Sequence, residues 1–237
     1  MLRRGLRTVL LHASHRSSVR YAVEHAPVSR NVVKRFVAGD LVGDAVRVSS
    51  ELVAAGLTVS LDHLGEDTTE PEHAAAAAAA YLSLLGLLSE AGLADRVEVS
   101  VKLSAVGQAL DRSLATDHVR QICASAALAG TTVTVDMEDH TTTDSTLETL
   151  RELREDFPWV GAVLQSYLRR TEADCRDLAS VGSRVRLCKG AYDEPPSVAF
   201  IAGAEVDDSY RRCLDILMRG PGYPMVATHD PALIAAG

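Results

Sequence analysis

Hydrophobic positions along this chain follow two periods in turn. Short runs dense in β-branched and aliphatic residues occur at Leu57–Asp62, Val97–Lys102, Thr131–Asp136, Val160–Gln165, Arg184–Lys189 and Pro224–Thr228. Each is bounded by Gly, Pro, Asn, Asp or Ser positions or by a change of period, which predicts six β-strands. Between them lie stretches with apolar residues at helical spacing, such as Asp144–Asp156 and Asp207–Met218. The stretch after the first strand opens with Asp67-Thr-Thr-Glu70-Pro71-Glu72 and contains seven consecutive alanines, Ala74 to Ala80. Thr, Pro and acids suit a helix start, Ala is the best helix former, and Tyr81, Leu84, Leu85 and Leu88 supply one apolar face. Strands alternating with helices of this length predict βαβ units and a parallel sheet, whose strands are covered on both faces and therefore rich in Val and Leu.

The predicted strands end in polar or ionisable residues: Asp62, Lys102, Asp136, Gln165, Lys189 and Thr228. A doubly wound sheet concentrates its ligand at one switch point, whereas a (β/α)8 barrel builds its site from many strand tips on one rim. Six equipped tips favour a (β/α)8 TIM-barrel type fold with about six βα units in this sequence. Each further unit takes on the order of 30 residues, so the pattern expects roughly 60–70 more for closure. Residues 1–50 read as an N-terminal helical arm and 51–237 as the incomplete barrel. The arm is basic: residues 1–40 carry eight Lys and Arg against Glu24 and Asp40, a charge of +6, leaving −14 for the rest. An amphipathic helix with a solvated basic face accounts for it, and the acid-free first twenty residues also resemble a mitochondrial transit peptide. A basic arm can also touch an anionic membrane surface.

Composition narrows the function classes. Aromatics make up 4% of residues, too few for base-stacking platforms, so no nucleic-acid partner is expected. No uninterrupted run of 18 apolar residues occurs. Cys123, Cys175, Cys188 and Cys213 show no CxxC or zinc-like spacing and suit a reducing compartment, with a cytoplasmic location as the default. Neither a G-x-G-x-x-G after a strand, nor a Walker loop, nor a G-x-S-x-G elbow is present.

Two constellations carry chemistry. Asp136-Met-Glu138-Asp139-His140 follows a strand, and its spacing fits a metal site, an acid–base pair, or acids that cap the next helix. Lys102 and Lys189 on the same rim argue against a divalent cation, so no metal is expected. Arg186, Lys189, Lys102 and Gln165 predict an electropositive, donor-rich mouth suited to carboxylate or phosphate. Lys189-Gly190-Ala191-Tyr192 adds a small-residue break where backbone can approach a ligand closely.

Read in order, Leu61-Asp-His-Leu-Gly-Glu66, Val101-Lys-Leu-Ser104, Val135-Asp-Met-Glu138, Leu164-Gln-Ser-Tyr-Leu-Arg-Arg170, Arg186-Leu-Cys-Lys-Gly-Ala-Tyr-Asp-Glu-Pro195 and Ala227-Thr-His-Asp230 resemble the proline dehydrogenase family. Arg35–Gly39 also resembles the segment leading into that barrel, and Cys188 stands where Val is more usual. The likeness covers essentially the whole chain. It implies FAD bound at the C-terminal strand ends, oxidation of L-proline to 1-pyrroline-5-carboxylate, and electrons passed to a membrane quinone. On those motifs Asp136 and Arg186 take the catalytic roles. Met137, Gln165, Lys189, Gly190, Ala191, Thr228 and His229 meet the cofactor, and Lys102 and Tyr192 meet the substrate. The quinone implies a cytoplasmic protein peripheral to the inner membrane. One departure matters: the family's paired arginines that grip the substrate carboxylate, on the last barrel helix, have no counterpart here. An inactive barrel remnant is the alternative expectation. A metal-dependent barrel hydrolase is disfavoured, since the first strand has no His-x-His pair.

Overall fold

The computed structural model describes residues 36–180 and 182–235. By internal packing the chain divides into units 1–48 and 49–237. The basic helical arm expected over residues 1–50 lies largely outside the described residues; of it, helix α1 (Val42–Ala54) is seen from its start. The second unit runs β1 (Val59–Asp62), α2 (Pro71–Glu90), β2 (Val97–Val101), α3 (Arg112–Ala129), β3 (Val133–Val135), α4 (Thr143–Asp156), β4 (Gly161–Gln165), α5 (Thr171–Leu178), β5 (Arg184–Cys188), α6 (Gly203–Arg219), β6 (Tyr223–Val226) and α7 (Pro231–Ile234). All six expected strands form.

They make one six-stranded sheet in the order β1-β2-β3-β4-β5-β6, every neighbour parallel. Strands that follow spatial order without reversal are the barrel pattern, not the doubly wound one. The sheet is curled enough for side chains to meet across its concave side. Arg186 on β5 donates to Ser60 Oγ on β1 at 3.2 Å, and Arg184 pairs with Glu98 on β2 at 2.7 Å. These spokes tie strands that share no backbone ladder.

Helix α2 shows why the alanine run is structural. Ala74, Ala77, Ala78, Tyr81, Leu84, Leu85 and Leu88 are buried, a single stripe at helical spacing. Its composition and length would suffice to cross a membrane, but here it is the crossover between β1 and β2, packed on α3. Pro71 opens it, where the missing N–H costs nothing. Helix α3 is capped by Asp111, whose carboxylate accepts from Ser113 N–H at 2.7 Å, and ends at Gly130 in the left-handed region.

Burial along the strands is not uniform. Every residue of β4 is buried, as a doubly covered strand requires, but β5 alternates. Val185 and Leu187 are buried, while Arg184, Arg186 and Cys188 are half-buried on the opposite, concave face. That face is where the ligand cavity opens.

Candidate active site

A cavity of about 610 Å³ lies at the C-terminal ends of the strands, within the size range of small-molecule and cofactor sites. Ten of the eleven residues singled out in the sequence line it: Asp136, Met137, Gln165, Arg186, Lys189, Gly190, Ala191, Tyr192, Thr228 and His229. Lys102 does not. Its ammonium sits at the tip of β2, in close contact with Asp62 and 3.7 Å from Asp136, both of which are wall residues.

Arg186 organises the floor. One terminal nitrogen donates to Asp136 Oδ1 at 2.5 Å and also to Ser100 Oγ; the other reaches Ser60 Oγ. Ser100 Oγ in turn donates to Asp136 Oδ1 at 2.8 Å. One guanidinium thus joins β5 to β1, β2 and β3, which fixes its orientation through its planar fork. Ser60 and Ser100 were not singled out in the sequence. The signal was there: strand side chains alternate with period two, so Ser60 shares a face with Asp62, and Ser100 with Lys102.

Asp62 is tied in from behind. Tyr81 of α2 donates its hydroxyl to the Ser100 carbonyl at 2.7 Å, accepts from His63 N–H at 3.0 Å, and lies 3.3 Å from Asp62 Oδ1. Burial raises the Asp62 carboxyl above its ordinary range despite the Lys102 contact. Burial opposes the charge on Lys102, but Asp62, backed by Asp136 and Glu66, outweighs it and holds the ammonium's pKa above its usual value. Lys189 is held by two carboxylates, Asp207 at 2.6 Å and Asp230 at 3.0 Å, and Asp207 first, then Asp230, raise its pKa.

These pairings correct the expectation of an electropositive mouth. Three cations, Lys102, Arg186 and Lys189, stand against four carboxylates, Asp62, Asp136, Asp207 and Asp230. The excess of positive charge disappears because α6 and the β6–α7 loop, remote in sequence, bring Asp207 and Asp230 to Lys189. An incoming carboxylate or phosphate competes with resident carboxylates rather than meeting bare cations.

The Asp136–His140 segment also resolves. Only Asp136 and Met137 face the cavity. Glu138 is buried and accepts from Ser104 N–H at 3.0 Å and from the Ser104 hydroxyl, while burial raises its pKa. Asp139 accepts from Thr141 N–H at 2.7 Å, a turn-capping contact. His140 pairs with Glu194. Among the described residues no group of three or more His, Cys, Asp or Glu is placed to share a metal ion.

The lining combines apolar and polar groups. Met137, Val163, Cys188, Ala191 and Ala227 give the cavity an apolar wall, and Arg186, Gln165, Thr228 and His229 add polar groups to its lining. Gln165, buried, donates its amide to the Glu138 carbonyl at 2.7 Å, which leaves its oxygen as an acceptor for a ligand.

Fold and site together define a parallel βα barrel-type domain with a ligand cavity at its strand tips. The family model described as proline dehydrogenase matches residues 45–236, and the chain belongs to that family. It is 38% identical over 209 residues to a proline dehydrogenase of Deinococcus radiodurans, covering 86% of this chain and 67% of that one. It is 34% identical over 202 residues to proline dehydrogenase 1 of Bacillus subtilis, covering 85% and 66%. The chain therefore spans about two thirds of the length of these relatives. Among solved structures, proline utilization A from Bdellovibrio bacteriovorus, inactivated by N-propargylglycine, matches with a TM-score of 0.78 at 24% identity. That match covers 87% of this chain and 26% of the other, and it bears on the fold alone.

Proposed function

We propose that the cavity is the flavin-facing part of a site that oxidises L-proline to 1-pyrroline-5-carboxylate with FAD. The observation that carries this reading is Arg186, held by Asp136, Ser100 and Ser60 at the centre of a cavity lined by the family's motif residues. When bound, FAD supplies the two-electron acceptor for the carbon–nitrogen oxidation. The chain's own residues bind and orient. Arg186 offers a fixed charge and donor to the bound ring, prepaid in orientation by its three partners. Met137 and Ala191 supply apolar surface, and Gln165, Lys189, Gly190, Thr228 and His229 supply the polar contacts to the cofactor. Lys102 takes the substrate carboxylate, sharing its ammonium between ligand, Asp62 and Asp136. Tyr192 flanks the substrate and keeps water out. The downstream acceptor is a membrane quinone, which a cytoplasmic protein reaches by peripheral contact at the inner membrane; family likeness alone supports this last step.

A second reading, a barrel remnant that binds FAD without turnover, is favoured by one observation: each mouth cation is already paired with a carboxylate. The experiment that separates them uses the purified 237-residue chain reconstituted with FAD and titrated anaerobically with L-proline. Bleaching of a bound flavin's visible band supports the dehydrogenase. Bound flavin that proline leaves oxidised supports the remnant, and a chain that takes up no flavin sinks both.

A further inference from the structure

Behind the cavity wall, a side-chain cluster that does not itself line the site joins three of its loops. Glu194 lies in the loop after β5, and its side chain is 3% exposed. One carboxylate oxygen accepts from the His140 backbone N–H at 2.8 Å and from the Tyr167 hydroxyl at 3.4 Å. The other oxygen meets His140 Nδ1. His140 belongs to the loop after β3, Tyr167 to the loop after β4. In chain order, the first and last of those loops carry Asp136–Met137 and Gly190–Tyr192, and the middle one follows directly on Gln165 at the end of β4.

The Tyr167 ring is in turn seated on Gly190. Gly190 has φ +105°, and a Cβ there would lie 2.2 Å from Tyr167 Cδ1 and Cε1. Beyond the strand ends, Ser166 N–H donates to the Cys188 carbonyl at 2.8 Å and Tyr167 N–H to the Lys189 carbonyl at 2.9 Å. The ring is thus clamped at both ends, by backbone on one side and by Glu194 on the other. A buried carboxylate is costly unless its lone pairs are satisfied, and here one carboxylate is satisfied by groups from two foreign loops. Moving either loop away would leave it unsatisfied, so the carboxylate acts as a lock on their spacing.

We infer that Glu194, with Tyr167 and His140, is a positioning device that holds the ligand-facing segments Asp136–Met137 and Gly190–Tyr192 at the separation the cavity needs. The inference deepens the flavin-site reading and rests on it for its functional meaning. The geometric part stands independently.

The test compares the unsubstituted chain with Glu194→Ala, Glu194→Gln and Leu153→Ala. Leu153 is fully buried near the far end of α4 and serves as a control for lost stability. FAD affinity is read by flavin fluorescence quenching at a temperature where circular dichroism shows each variant folded. Hydrogen exchange of residues 136–142 and 189–194 is followed without flavin. Misplacing a site by a fraction of an ångström is expensive, so Glu194→Ala is expected to weaken FAD binding about tenfold or more. Glu194→Gln, which keeps the shape and an acceptor for the His140 N–H, should fall in between. Glu194→Ala should accelerate exchange in both segments together, and Leu153→Ala should lower the melting temperature without weakening FAD binding. Unchanged exchange in both segments of Glu194→Ala would overturn the inference, as would equal loss of affinity in Leu153→Ala. If the unsubstituted chain binds no FAD, the flavin reading falls, and the exchange result alone decides whether Glu194 locks the loops.

Discussion

At Gly190 one missing carbon decides the local structure. Its positive φ strains any residue with a Cβ by about 1–3 kcal/mol, and here the Cβ would also strike the Tyr167 ring. Gly190→Ala should therefore destabilise by more than the backbone strain. In a Tyr167→Ala background only the strain remains, so the double-mutant cycle should show coupling of about 1 kcal/mol or more. Additive costs in urea denaturation would mean that ring and glycine do not compete for that space. Glu138 gives a residue-scale pH prediction. Burial, outweighing the two Ser104 hydrogen bonds, raises its pKa above the ordinary 4.5. The folded state therefore holds this proton where the unfolded chain has released it. Its contribution to stability is full below pH 4.5 and is lost as pH rises through the folded value. The stability of the unsubstituted chain relative to Glu138→Gln should accordingly decline with rising pH across that window; a difference that stays flat in urea titrations would refute the assignment. The strand-tip residues were legible in the sequence because a barrel rim advertises them at the end of each apolar run. Glu194 was not, since its partners stand 27 and 54 positions away and nothing local distinguishes it from a solvated loop acid.

Helix α2 is the element where a bland stretch of alanines turns out to support the site. Its buried small side chains form one continuous stripe with Tyr81. That places the Tyr81 hydroxyl against the tips of β1 and β2. Tyr81→Phe removes the donor to the Ser100 carbonyl and the acceptor for His63 N–H, and leaves both groups short of a partner. A loss of about 1–3 kcal/mol is expected from unsatisfied buried polar groups. It should be accompanied by greater exchange of the His63 amide, and an unchanged midpoint in urea with protected His63 would count against this account. The element pattern itself was readable: strand runs and helical periods alternate because parallel strands covered on both faces must be apolar throughout. Where the structure departs, the reason is physical. Strand β3 keeps only Val133–Val135, since Thr131 is turned to donate its hydroxyl to the Val97 carbonyl at 2.6 Å. Strand β5 alternates because its inner face carries Arg184 and Arg186 into the concave side instead of core. The charge balance of the mouth was hidden for a related reason. Asp207 lies in the second turn of α6 and Asp230 caps α7, and only the fold brings them to Lys189.

Across the whole second unit, the sheet's curvature is held by side chains from inside. Arg186 reaches serine hydroxyls on β1 and β2 and the carboxylate at the tip of β3, and Arg184 pairs with Glu98 on β2, so the concave side is braced by hydrogen-bonded and ionic spokes where a filled barrel would have packed layers of Val and Leu. Such bracing costs desolvation and returns little net stability by itself. A ligand that fills the 610 Å³ cavity adds what the spokes cannot, because it buries the apolar wall and satisfies the rim in the folded state only. Linkage then sets the size of the effect: FAD at a hundred times its dissociation constant should stabilise by about 2.7 kcal/mol. For a domain of this size that corresponds to a rise in melting temperature of roughly 5–10 °C. The nucleotide half and the ring half of the cofactor can be separated by repeating the melt with ADP and with riboflavin. If the cavity at the strand tips is the binding site, riboflavin alone should give part of the rise, and Arg186→Met should abolish that part while leaving the ADP response intact. A rise with ADP and none with riboflavin would move the ring away from Arg186 and with it the proposed chemistry.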